Sequence, residues 1–314
     1  MTEKGNKAKA GGKKPHHGVV VPMVTPVTAD EKLDEPATRR VIEHLIAGGV
    51  HGVFVLGTTG EAASISSKMG QKLVDVTVDQ VGGRVVTYAG IGGNCLTDSV
   101  DAAEAYFRQG MAAVVAHLPS YYPLSPEEQF KYYTTLADRI PGPLMLYNIP
   151  KTTHLSIPVD VIAHLSGHPN IVGVKDSEND RDRLRALMQA VGKRPDFTVF
   201  VGVSALSQEA LFLGADGTVP SPAHLAPELC VNLYKLAREG DVAGAKVCQA
   251  QLNEVAALYT ENRTLGQSLA ALKAALGELS LCGPSMLPPL HALSGAEQAS
   301  LRRDYRHWKA KLAS

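Results

Sequence analysis

The sequence predicts an α/β fold, a (β/α)8 barrel of the TIM type with a C-terminal three-helix extension. Three observations predict it. Eight short apolar runs recur from residue 18 to about 240, with amphipathic segments between them. The runs are almost continuously apolar rather than alternating, as strands are when a parallel sheet is covered on both faces. Beyond residue 240 the pattern is helical only. Repeats of this number and spacing suit a closed barrel. An open doubly wound sheet is the alternative, and the first run is not followed by the G-x-G-x-x-G turn that such sheets use for dinucleotides.

The expected strands are "GVVVPMVTP" (18–26), "HGVFVLG" (51–57), "RVVTYAGIG" (84–92), "MAAVVAH" (111–117), "PLMLYNIP" (143–150), "NIVGVKDS" (170–177), "FTVFVGV" (197–203) and "GADGTVPS" (214–221). The helices between them carry start and stop signals. Segment 34–49 has early acids, Pro36 near its first position and a Gly pair at its end. Segment 97–110 offers Thr97 or Asp98 as a cap and Gly110 as a stop. Segment 125–140 has Ser125 as N-cap, Pro126 at the first position and acids in the first turn. Segments 241–262, 266–279 and 294–310 read as the three helices of the extension, with breaks at Gly266 and at "CGPSMLPPL" (282–290). The chain thus divides into a basic tail (1–17), a catalytic barrel (18–240) and a helical extension (241–314).

Composition removes several classes of function. Lys plus Arg and Asp plus Glu both number 31, so no global basic field points to nucleic acid. The tail "MTEKGNKAKAGGKKPHHG" is rich in Lys and Gly without apolar period, and is expected to be disordered. It has no apolar core of a signal peptide, and no run approaches the roughly 20 apolar residues of a membrane span. Cys95, Cys230, Cys248 and Cys282 are far apart and form no CxxC pair, which speaks for a reducing, cytoplasmic setting rather than a disulfide or zinc framework.

In a barrel the active site lies at the C-terminal ends of the strands. There the sequence places "GTTGE" (57–61), "LPSYYP" (118–123), "YNIP" (147–150) and Lys175. Lys175 ends an oily run, where burial disfavours the ammonium, and a neutral amine can attack a ketone to form a Schiff base. A snorkelling lysine or an ion pair with Asp176 is the ordinary alternative. Tyr147 ends the neighbouring strand, and a phenol can shuttle the protons that imine chemistry requires. The Gly-bounded "GTTGE" turn could hold a carboxylate on hydroxyls and backbone amides, or could be no more than a capped strand-to-helix connection. His51, His117 and His224 have no partner in sequence and are expected to be structural. Glu61 is expected to support the turn. No His/Asp set has metal-ligand spacing, so no metal is expected.

In this order and at these positions, "GTTGE", "YY", "YNIP" and "GVK" resemble the dihydrodipicolinate synthase/N-acetylneuraminate lyase family of class I pyruvate aldolases. The resemblance spans about residues 18–312. It implies a (β/α)8 barrel, a homo-oligomer (tetramer or dimer), a small 2-oxo acid substrate, and a pyruvate imine on Lys175 without a cofactor. It further implies that Tyr147 is the general acid/base and that Thr58 links Tyr147 to Tyr122 supplied by a neighbouring subunit. Thr59 and the N–H of Gly60 would hold the substrate carboxylate, and the carbonyl of Val219 would line the pocket.

Two departures bear on the substrate. The synthases carry an arginine in a pattern like "YNVPSRTG", where it binds the carboxylate of the aldehyde partner. This sequence has "YNIPKTTH", with Thr152 in that position, and Thr cannot offer a bidentate fork. Sialic acid lyases hold sugar hydroxyls with acids in a pattern like "GFDE" after strand seven, whereas here the stretch is "VGVSAL" with Ser204. The expected substrate is therefore a 2-keto-3-deoxy sugar acid or 4-hydroxy-2-oxoglutarate, the second mildly favoured because "HPNIVGVKDS" and the serine after strand seven are similar to that subgroup. Dihydrodipicolinate synthesis, sialic acid cleavage and keto-deoxy sugar acid dehydration are the alternatives within the family. A metal hydrolase and an inactive binding barrel are the alternatives outside it.

Overall fold

The computed structural model describes residues 14–313. Eight parallel strands close into a barrel in sequence order, each paired with the next and β8 with β1. They are β1 (Gly18–Pro22), β2 (Gly52–Val55), β3 (Val86–Gly90), β4 (Ala113–His117), β5 (Leu144–Asn148), β6 (Ile171–Asp176), β7 (Thr198–Val201) and β8 (Gly217–Thr218). Each lies inside an expected run; β8 is the shortest, two residues of the eight expected.

The helices around the barrel are α1 (Glu35–Ala47), α2 (Ser67–Val81), α3 (Leu96–Gln109), α4 (Pro126–Arg139), the single turn α5 (Pro150–Thr153), α6 (Val159–Leu165), α7 (Arg181–Val191), α8 (Ser207–Phe212) and α9 (Pro227–Glu239). The local signals act as expected at α4, where Ser125 and Glu128 form a reciprocal capping box with Pro126 in the first turn. They fail at α3. Its N-cap is Cys95, with no side-chain bond, and neither Thr97 nor Asp98 caps it. Gly110 does end that helix, in the left-handed region at φ 103°.

Side-chain alternation divides the apolar residues into two layers. Val20, Phe54, Tyr88, Val115, Met145, Tyr147 and Phe200 fill the barrel interior. Their strand neighbours Val19, Val53, Val114, Leu146 and Val199 face outward and pack on α1, α2, α4 and α7 through Leu45, Leu73, Leu136 and Leu187. Both faces of every strand are thus buried, which is why the runs read as continuously apolar.

The extension is α10 (Val242–Thr260), α11 (Leu265–Leu276) and α12 (Gly295–Ala313). The expected break at Gly266 is displaced. Gly266 lies within α11, whose start is set by a capping box between Thr264 and Gln267. In α11 every residue from Ser268 to Leu276 is buried.

The tail needs a correction at its inner end. Residues 1–13 lie outside the described residues, but Lys14–His17 pack against the N-terminal end of the barrel. Lys14 Nζ donates to the Phe197 carbonyl at 2.7 Å and pairs with Asp216 at 3.0 Å. Thr198 Oγ1 donates to the His16 carbonyl at 3.0 Å, and His16 Nδ1 lies 2.9 Å from the Tyr88 hydroxyl. That end of a barrel must be closed by something, and a short polar segment with these partners does so at little desolvation cost.

Candidate active site

The site is assembled at the C-terminal ends of β2, β4, β5, β6 and β7. Parallel register puts His117 opposite Tyr147, Tyr147 opposite Lys175, and Lys175 opposite Phe200. Strand alternation then points Tyr147 and Lys175 inward together.

Lys175 is buried, 4% exposed, and its Nζ sits 3.9 Å from the centroid of the Tyr147 ring and 4.9 Å from that of Phe54. Among the described residues it has no hydrogen-bond acceptor and no counter-ion. The expected alternative of a Lys175–Asp176 pair does not form, because adjacent strand residues point to opposite faces. Asp176 points outward to Arg183, which binds it at 2.9 Å. Asn148 also donates to Asp176, at 3.1 Å, and to Glu178, at 3.0 Å, while its Oδ1 accepts from the Ile157 amide. Burial raises the Asp176 pKa, and the Arg183 charge opposes the shift. Sequence reading missed this cluster. It ties β5 to β6 behind the Tyr147–Lys175 pair, and only the "N" of "YNIP" hinted at it.

The Thr58–Gly60 segment forms a 3₁₀ turn after β2. Thr58 Oγ1 lies 3.4 Å from the Tyr147 hydroxyl, so two of the three hydroxyls expected in a relay meet within one chain. The third does not. Tyr122 is 69% exposed and packs edge-on against Tyr121. Gly60 also departs from expectation. Its amide donates back to the Gly57 carbonyl at 3.0 Å, and its carbonyl accepts from Thr25 Oγ1 at 2.7 Å. A Cβ on Gly60 would lie 2.9 Å from the Met23 carbonyl, so this glycine serves close packing. The amides that precede that internal bond belong to Thr58 and Thr59, and neither has an acceptor among the described residues.

A cavity of about 300 Å³ opens over Tyr147 and Thr58 and is bounded by Phe54, His117, Thr152 and Leu269 among others. Thr152 turns its hydroxyl back to the Ile149 carbonyl at 3.4 Å. His117 bonds the Leu118 carbonyl through Nδ1 at 2.7 Å, and burial lowers its pKa. Val219 is buried in the same apolar cluster as Tyr147, and its amide donates to the Val201 carbonyl. Ser204 starts a 3₁₀ turn after β7, and its carbonyl accepts from Gln249. Gly202 was missed by sequence reading although it touches the site: a Cβ there would lie 3.0 Å from Lys175 Cε and 2.1 Å from Ser177 Oγ.

His51 and His224 take structural roles. His51 Nδ1 accepts from the Val19 amide, and His224 Nε2 accepts from the Val24 amide. Among the described residues no group of three or more His, Cys, Asp or Glu could hold a metal ion, and no helix is long and apolar enough to cross a membrane.

The family model of the dihydrodipicolinate synthetase family matches residues 15–307. The chain belongs to that family. It is 35% identical to an uncharacterized DapA-like lyase of Halobacterium salinarum, over 92% of each chain. It is 30% identical to YagE of Escherichia coli, a candidate 2-dehydro-3-deoxy-D-gluconate aldolase, over 91% of this chain and 94% of that one. Among solved structures, dihydrodipicolinate synthase from Bacteroides thetaiotaomicron superposes with a TM-score of 0.89 at 33% identity, covering 93% of this chain and 98% of that one. YagE in complex with pyruvate superposes with a TM-score of 0.88 at 29% identity, with the same coverage. The chain is therefore an enzyme of this family of pyruvate-dependent lyases and aldolases.

Proposed function

We propose that the protein is a class I aldolase that cleaves a 2-keto-3-deoxy sugar acid to pyruvate and an aldehyde through an imine on Lys175. The observation that carries the reading is the Tyr147–Lys175 pair: an amine without counter-ion, 3.9 Å above a phenol ring whose hydroxyl lies 3.4 Å from Thr58.

The steps follow from those groups. Lys175 Nζ, as the neutral amine, attacks the C2 carbonyl; Tyr147 gives its hydroxyl proton to the departing oxygen, and loss of water leaves a protonated imine and a Tyr147 phenolate. That phenolate takes the proton of the C4 hydroxyl. The C3–C4 bond breaks, its electron pair moves into the imine to form an enamine, and the C4 carbonyl leaves as the aldehyde. Tyr147 returns the proton to C3, and water hydrolyses the imine to release pyruvate. No organic cofactor is required, since the protonated imine is itself the electron sink. The Thr58 and Thr59 amides and the Thr59 hydroxyl hold the carboxylate, replacing the expected Gly60 amide.

The substrate class rests on Thr152, which offers no cationic fork for a second carboxylate, and on the similarity to YagE. 4-Hydroxy-2-oxoglutarate is the second candidate. Completion of the relay by Tyr122 requires a second copy of the chain. The exposed Tyr121–Tyr122 pair supports such a homo-oligomer, because its backbone is held in place by Asn94 Oδ1, which accepts from the Ser120 and Tyr121 amides at 2.8 and 3.3 Å.

Borohydride reduction in the presence of pyruvate, read by peptide mass spectrometry, tests the mechanism. The expected result is a reduced pyruvate adduct on Lys175 that is absent in Lys175→Ala. A folded wild-type protein without adduct would overturn the imine. Turnover of 2-keto-3-deoxy-gluconate and -pentonate, set against 4-hydroxy-2-oxoglutarate and against pyruvate with aspartate semialdehyde, tests the substrate.

A further inference from the structure

The carboxylate-binding turn is held from behind by the helical extension. Glu61 follows Gly60 directly and closes the 3₁₀ turn in the left-handed region, at φ 58°. That conformation is strained for a non-glycine residue and persists only where its surroundings over-determine it. Here they do. The Glu61 side chain is fully buried, and its Oε1 forms an ion pair with Lys273 of α11, whose side chain is 1% exposed. Glu61 Oε2 accepts from the Leu287 amide at 2.8 Å, and Lys273 Nζ donates to the Ser285 carbonyl at 2.9 Å. Both charges therefore sit between the turn and the 282–290 loop. The same region supplies Leu265, Leu269 and Leu290 to the cavity wall.

A buried ion pair is a poor source of stability, because its desolvation penalty cancels most of its attraction. It does fix geometry, since each charge tolerates few positions of the other. We infer that the Glu61–Lys273 pair is a positioning device for the active site. It sets the Thr58–Thr59 amides at the distance that binds a 2-oxo acid carboxylate, and so makes α11 a working part of the site. This rests on the imine reading given above.

The test removes the pair without stranding a charge. Removing one partner alone leaves an uncompensated buried charge, and a loss of activity would then reflect unfolding. The double variant Glu61→Gln/Lys273→Met leaves an acceptor for the Leu287 amide and no buried charge. It is expected to fold, by circular dichroism and thermal melting. Wild type is first shown to trap pyruvate on Lys175; failure there would bring down the imine reading and this inference with it. Where wild type traps, the double variant should need at least about tenfold more pyruvate for half-maximal trapping, while the trapping rate at saturating pyruvate changes much less. An unchanged half-saturation in a folded double variant would overturn the inference and leave the imine reading intact. An equal fall in rate at all pyruvate concentrations would also overturn it, because the amine rather than the carboxylate site would then be disturbed.

Discussion

Gly202→Ala is a one-methyl probe of how Lys175 is placed. Gly202 follows β7, and its amide donates to the Asp176 carbonyl at 2.7 Å, so the backbone there cannot easily retreat. A Cβ at this position would lie 2.1 Å from Ser177 Oγ, 3.3 Å from Ser177 Cβ and 3.0 Å from Lys175 Cε. A contact of 3.0 Å is tighter than ordinary van der Waals contact, so Cε must give by a few tenths of an ångström and the Ser177 hydroxyl must leave its rotamer. Overpacking of this kind typically costs about 1–3 kcal/mol. Misplacement of a reacting group by about 1 Å can cost about 100-fold in rate, so a shift of a few tenths of an ångström should lower the rate of pyruvate trapping roughly 3- to 10-fold. Urea denaturation and time-resolved borohydride trapping separate the two effects. Ser177→Ala in the Gly202→Ala background removes the 2.1 Å clash but not the 3.0 Å one. Stability should then largely return while the trapping defect stays. Wild-type trapping in Gly202→Ala would refute the claim that this glycine makes room for the lysine. Recovery of trapping in the double variant would move the cause to Ser177.

Tyr147→Phe keeps the ring against Lys175 and Phe54 and removes only a hydroxyl whose partner is Thr58 at 3.4 Å. Stability should change little, and kcat should fall by roughly 10²–10⁴, the usual contribution of a general acid/base; steady-state kinetics within a few-fold of wild type would exclude that role. His224 gives a pH dependence. Burial lowers its pKa to about 4, with the Ser221 carbonyl opposing the shift and His44 adding to it. The unfolded imidazole titrates near 6.5, so the stability His224 contributes is complete above that pH and is lost as the pH falls toward 4, by up to roughly 3 kcal/mol. Urea midpoints measured from pH 7 down to pH 4 should fall less steeply in His224→Gln, which cannot titrate; equal slopes would show that other groups carry the acid sensitivity.

Much of this molecule is legible in the linear chain because the relevant physics is local or periodic. Continuous apolar runs name strands with both faces buried, and Ser125–Pro126 writes the start of α4 into adjacent residues. Lys175 stands out because an ammonium at the end of an oily run is costly, and Tyr147 because it ends the neighbouring strand. Position at the C-terminal ends of barrel strands then places both on the working face. The resemblance added their roles and the expectation of a second copy at Tyr122.

What only the tertiary structure decided depends on partners far apart in sequence. Asp176 pairs with Arg183 rather than with Lys175, because strand alternation sends adjacent side chains to opposite faces. Gly60 spends its amide inside its own turn, which leaves the Thr58 and Thr59 amides without an acceptor among the described residues. Gly202 matters for a contact with Lys175 on the preceding, neighbouring strand, and a glycine's neighbours cannot be read from its flanks. Glu61 and Lys273 lie in different parts of the chain, and neither has a local signal that names the other. Burial of both charges makes each costly without the other, and the pair so joins the helical extension to the turn after β2.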